Sequence, residues 1–428
     1  MSKEGKRIGL ALSGGGYRAA AYHIGTLRAL NKLGILDKVD VISSVSGGSI
    51  TSAYYVQNKE KGYKVFEKEF IRKLTHNVLW IAIIRAVVML AIFIAVFYFV
   101  PKSYFWYVLG GLILLLWLFF YKIFPFSKCI ENAYELLFFK WAKLDEIPQE
   151  PVLAINATDL STGNQLTFSQ DRMTCYPYKD KLAFSTVSFP VAKAVMASSC
   201  IPQIFSPIKL SKKFVEGESK TKPLLVDGGL YDNQGAYKFD SSDCFFAVDY
   251  AIVSDAGNTT ISSVWCINPI MTLLTTSDIL MRRIKNFQRQ HNSYIPEYKK
   301  KTLYAYTDLM WTAYDEFPMR FIKNVKSGFI PISVLGAHGI TDDMLLRLKN
   351  KDTSEEAFNE ILCLVEKNIG WAELLQRKPK NQKVAAEVGT NLIGLKMKQI
   401  NALIEHSEWM TEVQVRMHLP FLAKNSSF

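Results

Sequence analysis

Apolar and polar positions along the chain fall into two recurring patterns and change character abruptly once. The segment "IGLALSGGGYRAAAYHIGTLRALNKLG" runs from a short unbroken apolar stretch through three glycines into apolar positions at helical spacing. That order predicts a buried strand, a glycine turn and a helix from about Tyr17 to Leu33, stopped by Gly34. The segment "VDVISSVSGGSITSAYYVQ" repeats the plan with a tight turn at Ser46. Two strand-turn-helix units in succession predict a parallel α/β sheet whose functional turns gather at the carboxyl ends of its strands. Further on, "PVLAINATDLSTGNQLTF" predicts strand, loop and strand, and "LLVDGGLYDNQG" a strand ending in a glycine turn. From about Thr341 the chain is rich in helix formers, which predicts a helical C-terminal subdomain.

The abrupt change is "WIAIIRAVVMLAIFIAVFYFVPKSYFWYVLGGLILLLWLFFYKIFPF", Trp80 to Phe126, two apolar runs separated by "PKS". At about 1.5 Å per helical residue, Trp80 to Val100 spans roughly 30 Å and Ser103 to Tyr121 slightly less. Both runs are long enough to cross a bilayer, and the competing reading is a hairpin buried in a protein core. Trp80, Tyr98, Phe105, Trp106, Trp117 and Tyr121 cluster mostly near the run ends, as interfacial aromatic belts do. Arg85 lies near one end of the first run, within reach of the interface. The flank from Lys59 to Lys73 carries six Lys or Arg residues, and Lys122 and Lys128 follow the second run, against only Lys102 in the connecting turn. The positive-inside rule then expects an integral membrane protein with both hairpin ends, and the domain they join, on the cytoplasmic side.

The formal charge of +12 favours anionic partners, either nucleic acid or an anionic membrane face. No basic helix with a base-reading pattern appears, which weighs against nucleic acid. The six cysteines, Cys129, Cys175, Cys200, Cys244, Cys266 and Cys363, have neither zinc-ligand nor disulfide-framework spacing, so no metal is expected and the thiols are read as reduced in a cytosolic compartment. At the N-terminus, glycines and a serine interrupt "MSKEGKRIGLALSGGG" before an apolar core of useful length develops, and no cleaved signal peptide is expected.

Three places could carry chemistry. The turn "SGGGYR", Ser13 to Arg18, sets free amides and a helix N-terminus where negative charge could be held. An oxyanion hole, an ordinary tight turn and a phosphate-binding loop all remain open for it, although the usual nucleotide-loop spacings are absent. In "VISSVSGGSI" Ser46 stands as in a G-x-S-x-G nucleophile elbow, with Gly47 and Gly48 behind it, but Ser44 occupies the first glycine position. Locally, Ser46 could be a nucleophile or a loop hydroxyl. A nucleophilic serine needs a base, yet none of His23, His76, His291, His338, His406 and His418 presents a convincing triad position. Asp227, at the end of an apolar strand and followed by Gly228 and Gly229, is either a turn former or the direct acceptor of the serine proton.

Taken in order, "GGGYR", "SVSGG" and "DGG", with "ATDLSTG" and "ASSCIPQIFSP" between the last two, resemble the patatin-like phospholipase family. The likeness covers about Arg7 to Gln57 and Pro151 to Gly235. Two departures stand out: Ser44, and Gly235 where the family often has proline. The resemblance implies a patatin-like parallel-sheet hydrolase fold of the α/β class, here with an inserted two-helix transmembrane hairpin and a helical C-terminal part. The corresponding division is 1–77 for the first part of the core, 78–126 for the hairpin, 127–340 for the second part and 341–428 for the helical end.

It also implies acyl transfer to Ser46 with Asp227 as base and the amides of Gly14, Gly15 and Gly16 as the oxyanion hole, supported by Arg18, Gly47, Gly48, Gly228 and Gly229. No cofactor is implied. The expected substrate is a membrane phospholipid ester, the expected partner the lipid bilayer. Alternatives are an acylglycerol lipase or other lipid esterase, and a catalytically inactive membrane-anchored scaffold.

Overall fold

Strand formation follows the apolar runs. The computed structural model describes residues 5–175, 182–202, 204–217, 222–240, 245–257, 269–294 and 302–423; Cys244 and Cys266 lie outside them. The described strands are β1 (Ile8–Leu12), β2 (Val41–Val45), β3 (Val152–Asp159), β4 (Asn164–Phe168), β5 (Met173–Thr174), β6 (Ala183–Phe184), β7 (Ile208–Lys209), β8 (Val215–Glu216), β9 (Leu224–Asp227), β10 (Tyr250–Asp255) and β11 (Leu303–Asp308). Every residue of β1 and β2 is buried, as expected of central strands covered on both faces.

The main sheet runs β11-β10-β1-β2-β3-β4-β5, with β9 on β3 and β7 on β9. From β11 to β3 all neighbours are parallel. The expectation of a parallel sheet holds for these strands and fails beyond them. The four residues between β3 and β4 can close only a hairpin, so β4 is antiparallel, as are β5, β7 and β9. The sheet is therefore mixed.

Helix α1 (Gly16–Lys32) follows β1 and α2 (Gly47–Asn58) follows β2, matching the two predicted strand-turn-helix units. After α3 (Tyr63–Leu74) the apolar segment forms α4 (Trp80–Phe99) and α5 (Phe105–Ile123), and α6 (Phe126–Tyr134) returns the chain toward β3. The expectation of two helices holds, but that of two membrane spans is not met by either helix alone. No single helix among the described residues is long and apolar enough to cross a membrane; a bent pair, Phe105–Phe119 with Tyr121–Phe139 at 79°, is so by length and composition. The bend follows Phe119, whose φ of −121° and ψ of 21° leave the helical region. The buried-core reading of this segment is overturned, because Tyr98, Trp106 and Trp117 are 82%, 76% and 79% exposed. Arg85 turns back to α6, where its Nη1 lies 3.9 Å from Cys129 Sγ.

The chain continues through α7 (Val191–Ser198), α8 (Gly229–Asp232) and α9 (Pro269–Tyr294), then α10 (Phe317–Lys326), α11 (Ile332–His338), α12 (Asp342–Lys349), α13 (Ser354–Ile369), α14 (Trp371–Gln376), α15 (Gln382–Ala386), α16 (Met397–His418) and α17 (Pro420–Ala423). The C-terminal region is helical. Helices α10 to α14 surround an apolar cluster that includes Trp409, Met410, Val413 and Met417 of α16, while Ile400, Leu403, Ile404 and Val415 of the same helix join the core around the sheet.

That double duty sets α16 tightly against α1. A Cβ at Gly25 would lie 2.2 Å from the Ile404 carbonyl oxygen and 2.8 Å from the Glu408 amide, so only glycine lets the backbones approach this closely. Gly25→Ala is expected to destabilise the protein by about 2 kcal/mol or more, since overpacking cannot be relieved by a rotamer change. Urea unfolding measures this, and an unchanged midpoint would contradict the close crossing.

Candidate active site

Residue Ser46 follows β2 with φ 50° and ψ −118°, a conformation that costs a non-glycine residue about 1–3 kcal/mol and persists only where neighbours enforce it. The enforcement comes from packed backbone and a hydroxyl cluster. A Cβ at Gly47 would meet Gly16 O at 2.1 Å, and one at Gly48 would meet Leu12 O at 2.3 Å, so both glycines let α2 start directly against the turn after β1. The Ser46 amide donates to Ser198 Oγ at 2.9 Å, and Ser198 Oγ donates to Asn156 O at 2.6 Å. Ser44, the departure from the elbow pattern, is buried and accepts from Ser52 Oγ at 2.7 Å and Ser49 Oγ at 3.2 Å. Its hydroxyl thus joins the same cluster, because Ser49 also bonds Ser198 Oγ at 2.9 Å.

The carboxyl of Asp227 reaches the serine through strand pairing. Val45 is in register with Asn156 and Asp227 with Ala157, so β2 and β9 end against each other on one edge of β3. A Cβ at Gly228 would lie 2.2 Å from Asn156 O, which makes this glycine a condition of the approach. Asp227 Oδ1 accepts the Gly229 amide at 2.7 Å, and the Ser46 side chain lies close enough to favour the charged form of the same carboxyl. Burial pushes the Asp227 pKa up to about 6, against the opposing effect of the Gly229 amide and the Ser46 side chain. Farther along, Gly235 has φ +74°, which proline, fixed near −65°, cannot adopt. This second departure therefore belongs to the turn's own geometry.

In the glycine turn, Gly15 and Gly16 have φ of 141° and 59°. Of the three amides expected as oxyanion donors, that of Gly14 already donates to Asn233 O at 3.0 Å. Among the described residues the amides of Gly15 and Gly16 donate to no protein acceptor, and Gly16 opens α1, where the helix dipole adds to their pull on an anion. The turn touches the elbow: a Cβ at Gly14 would lie 3.3 Å from Ser46 Cβ.

Arg18 is buried behind the turn, donates to Val388 O at 3.3 Å, and has its pKa pulled down to about 10 by burial, with Asp255 and Asp278 opposing. It thus holds the strap formed by residues 388–395. That strap also accepts the Tyr17 amide on Asn391 O at 2.9 Å and the Val78 amide on Leu392 O at 3.3 Å.

Ser46 and Gly16 line a cavity of about 370 Å³ whose other walls are mostly apolar, among them Phe126, Ile130, Ile201, Ile204, Phe205 and Leu392. No histidine lines it. His23 is fully buried, bonded to Ser13 O at 2.9 Å and Ser254 Oγ at 2.8 Å, and burial lowers its pKa to about 4.

Sequence reasoning missed Asn156, Ser198, Asn233 and Asn391. Ser198 stands inside "ASSCIPQIFSP" and Asn233 inside "DGGLYDNQG", so the segments were in view. Their partners, however, lie far away along the chain.

The raised Asp227 pKa has a testable consequence for stability. A carboxyl whose pKa rises on folding stabilises the fold below its unfolded value, near 4, and that contribution is lost as pH rises through about 6. Asp227→Asn, neutral throughout, should therefore gain stability relative to the parent between pH 5 and pH 8, toward a ceiling of about 3 kcal/mol. Urea unfolding at the two pH values reads this, and a gain that shrinks with rising pH would contradict it.

A family model described as patatin-like phospholipase matches residues 10–239, more than half of the 428 residues. No curated protein matches. Among solved structures, human GIVD cytosolic phospholipase A2 is similar at 11% identity, with 98% of this chain and 62% of that one covered and a TM-score of 0.50. The chain thus spans less than two thirds of that protein, and the likeness bears on the fold alone. The same human protein in complex with methyl gamma-linolenyl fluorophosphonate gives 12% identity, 99% and 60% coverage and a TM-score of 0.46. VipD from Legionella pneumophila gives 14%, 96% and 92%, and 0.32.

Proposed function

The chain belongs to the patatin-like phospholipase family, and from that membership we propose that it is a membrane-anchored serine acyl hydrolase that cleaves carboxyl esters of phospholipids. One observation carries the reading: a strained, buried serine beside a buried carboxyl, lining a mostly apolar cavity. Asp227 accepts the proton as Ser46 Oγ attacks the ester carbon. The amides of Gly15 and Gly16 receive the oxyanion of the tetrahedral intermediate. As the intermediate collapses, Asp227 returns the proton to the leaving alkoxide, which departs as the lysolipid alcohol. Water then attacks acyl-Ser46 and gives its proton to Asp227; as the second intermediate collapses to the fatty acid, Asp227 returns that proton to the departing Ser46 Oγ.

The membrane part of the reading rests on α4 and α5. Their large exposed apolar side chains, the aromatic residues near the run ends and the basic flank from Lys59 to Lys73 suit a hairpin inserted in a bilayer from the cytoplasmic side. Inserted so, it keeps the enzyme at its substrate surface.

Ser46→Ala and Asp227→Asn should each abolish turnover of lipid esters, and the double variant should be scarcely worse, because the pair acts as a unit. In the parent, kcat/KM should fall as pH drops below about 6, where Asp227 becomes protonated, and level off above it. Gly15→Ala should lower turnover about 10²- to 10³-fold. Most activity surviving in either single variant would overturn the assignment.

The anchor is tested separately. In a variant lacking native cysteines, Ser103→Cys should react with a membrane-impermeant thiol reagent added to the outer face. Reaction only after the cytoplasmic side is opened would overturn the insertion.

A further inference from the structure

The cavity that holds Ser46 is not walled by the sheet domain alone. Leu79, just before α4, and Ile83 in its first turn line it together with Phe126 and Ile130 of α6, so both ends of the inserted segment border the site. Ile83 is 54% exposed and Ile204, on another wall, 48% exposed. Apolar side chains that are half in the cavity and half outside mark an apolar mouth. From Ile83 the exposed apolar surface continues along α4 through Ile84, Val87 and Val88. A mouth of this kind would be costly facing water and suits a lipid surface.

The root of the hairpin is also fixed in place. The Val78 amide donates to Leu392 O, the Leu395 amide donates to Leu74 O at 2.9 Å, and a Cβ at Gly394 would strike Thr75 O at 2.2 Å. The same strap holds the first turn of α1 through Asn391. Hairpin root and oxyanion turn are therefore tied to one piece of backbone, and the wall keeps its distance from Ser46.

We infer that the hairpin root is the acyl-chain selector of the enzyme: a single unbranched chain of the scissile ester enters from the α4 side and lies along Leu79, Ile83 and Ile204 with its carbonyl at Ser46. This rests on the acyl-hydrolase reading and deepens it. The lining joins Ser46 and Gly16 to a mostly apolar wall, the combination an acyl ester needs. Its volume of about 370 Å³ falls in the lower part of the range of roughly 300–1,000 Å³ usual for small-ligand sites.

The test uses the full chain and two esters, p-nitrophenyl butyrate and p-nitrophenyl dodecanoate. Ile83→Trp and Ile204→Trp, each at a half-exposed position where the larger ring can be folded around, should lower the dodecanoate-to-butyrate ratio of kcat/KM about tenfold or more. Leu346→Trp, on the remote and exposed α12, should leave the ratio as it was. A second arm is independent of turnover: in a Ser46→Ala background, each cavity substitution should weaken binding of dodecanoic acid, read by calorimetry, about tenfold. An unchanged ratio with unchanged binding overturns the inference. If the parent hydrolyses neither ester, the acyl-hydrolase reading falls, and the binding arm alone decides whether the hairpin root holds a chain.

Discussion

The edge of β3 is the constraint on which the site depends. One strand edge serves two partners: β2 arrives parallel and stops at Asn156, and β9 arrives antiparallel and stops at Asp227 beside Ala157. Neither strand can be extended without colliding with the other. The chain must turn sharply at both ends, and the two side chains at those ends, Ser46 and Asp227, are forced together. Backbone pairing, which is strong and cooperative, thus does the positioning that a loop could not do to within a fraction of an ångström. The cost appears as positive φ at Ser46 and glycine at 228, where any Cβ would enter the Asn156 carbonyl.

Around that junction the protein carries more buried polarity than a core needs. Asp255 and Asp308 sit opposite one another at the carboxyl ends of β10 and β11, a repulsive pairing by itself. Lys285 of α9 enters between them, with Nζ 2.8 Å from Asp255 and 3.3 Å from Asp308. A buried cation held by two carboxylates adds little net stability, but removing Lys285 would leave the two buried carboxylates facing each other without the cation between them. The arrangement therefore fixes where α9 lies. In that place Met281 of the same helix borders Gly229, next to Asp227. Gln234 donates to Asp255 at 2.8 Å from the turn that also carries Asn233. Strands β10 and β11 thereby help hold the turn that takes up the Gly14 amide.

Local patterns in the sequence were enough for the two strand-turn-helix units, the glycine turn, the elbow and the Asp-Gly-Gly strand end, because each is written within about 25 consecutive residues. The direction of β9 was not legible. A short apolar strand reads the same whether it pairs parallel or antiparallel, and only its partner, some 70 residues away, decides. For the same reason the engagement of Gly14 by Asn233 could not be read, nor could the strap at 388–395, which sits between helical segments with no signal of its own. Gly235 is instructive in the other direction. Set against a family pattern it looked like a departure, yet its φ of +74° makes glycine the residue the turn requires. Ser44 likewise looked like a defect of the elbow and proves to be a bonded member of the hydroxyl cluster behind it.

The position of the inserted segment follows from the same geometry. It leaves the chain after α3 and returns through α6 before β3, in a connection between two adjacent parallel strands, which must in any case be long and cross over one face of the sheet. An insertion in that crossover lengthens a loop without changing which strands pair, and loop length itself costs little entropy. The crossover starts where β2 stops, at the carboxyl edge that holds Ser46, and must travel back to the amino edge where β3 begins. A segment inserted elsewhere could tether the protein, but from this connection its root at Leu79 and Ile83 and its return at Phe126 and Ile130 also line the cavity that holds Ser46.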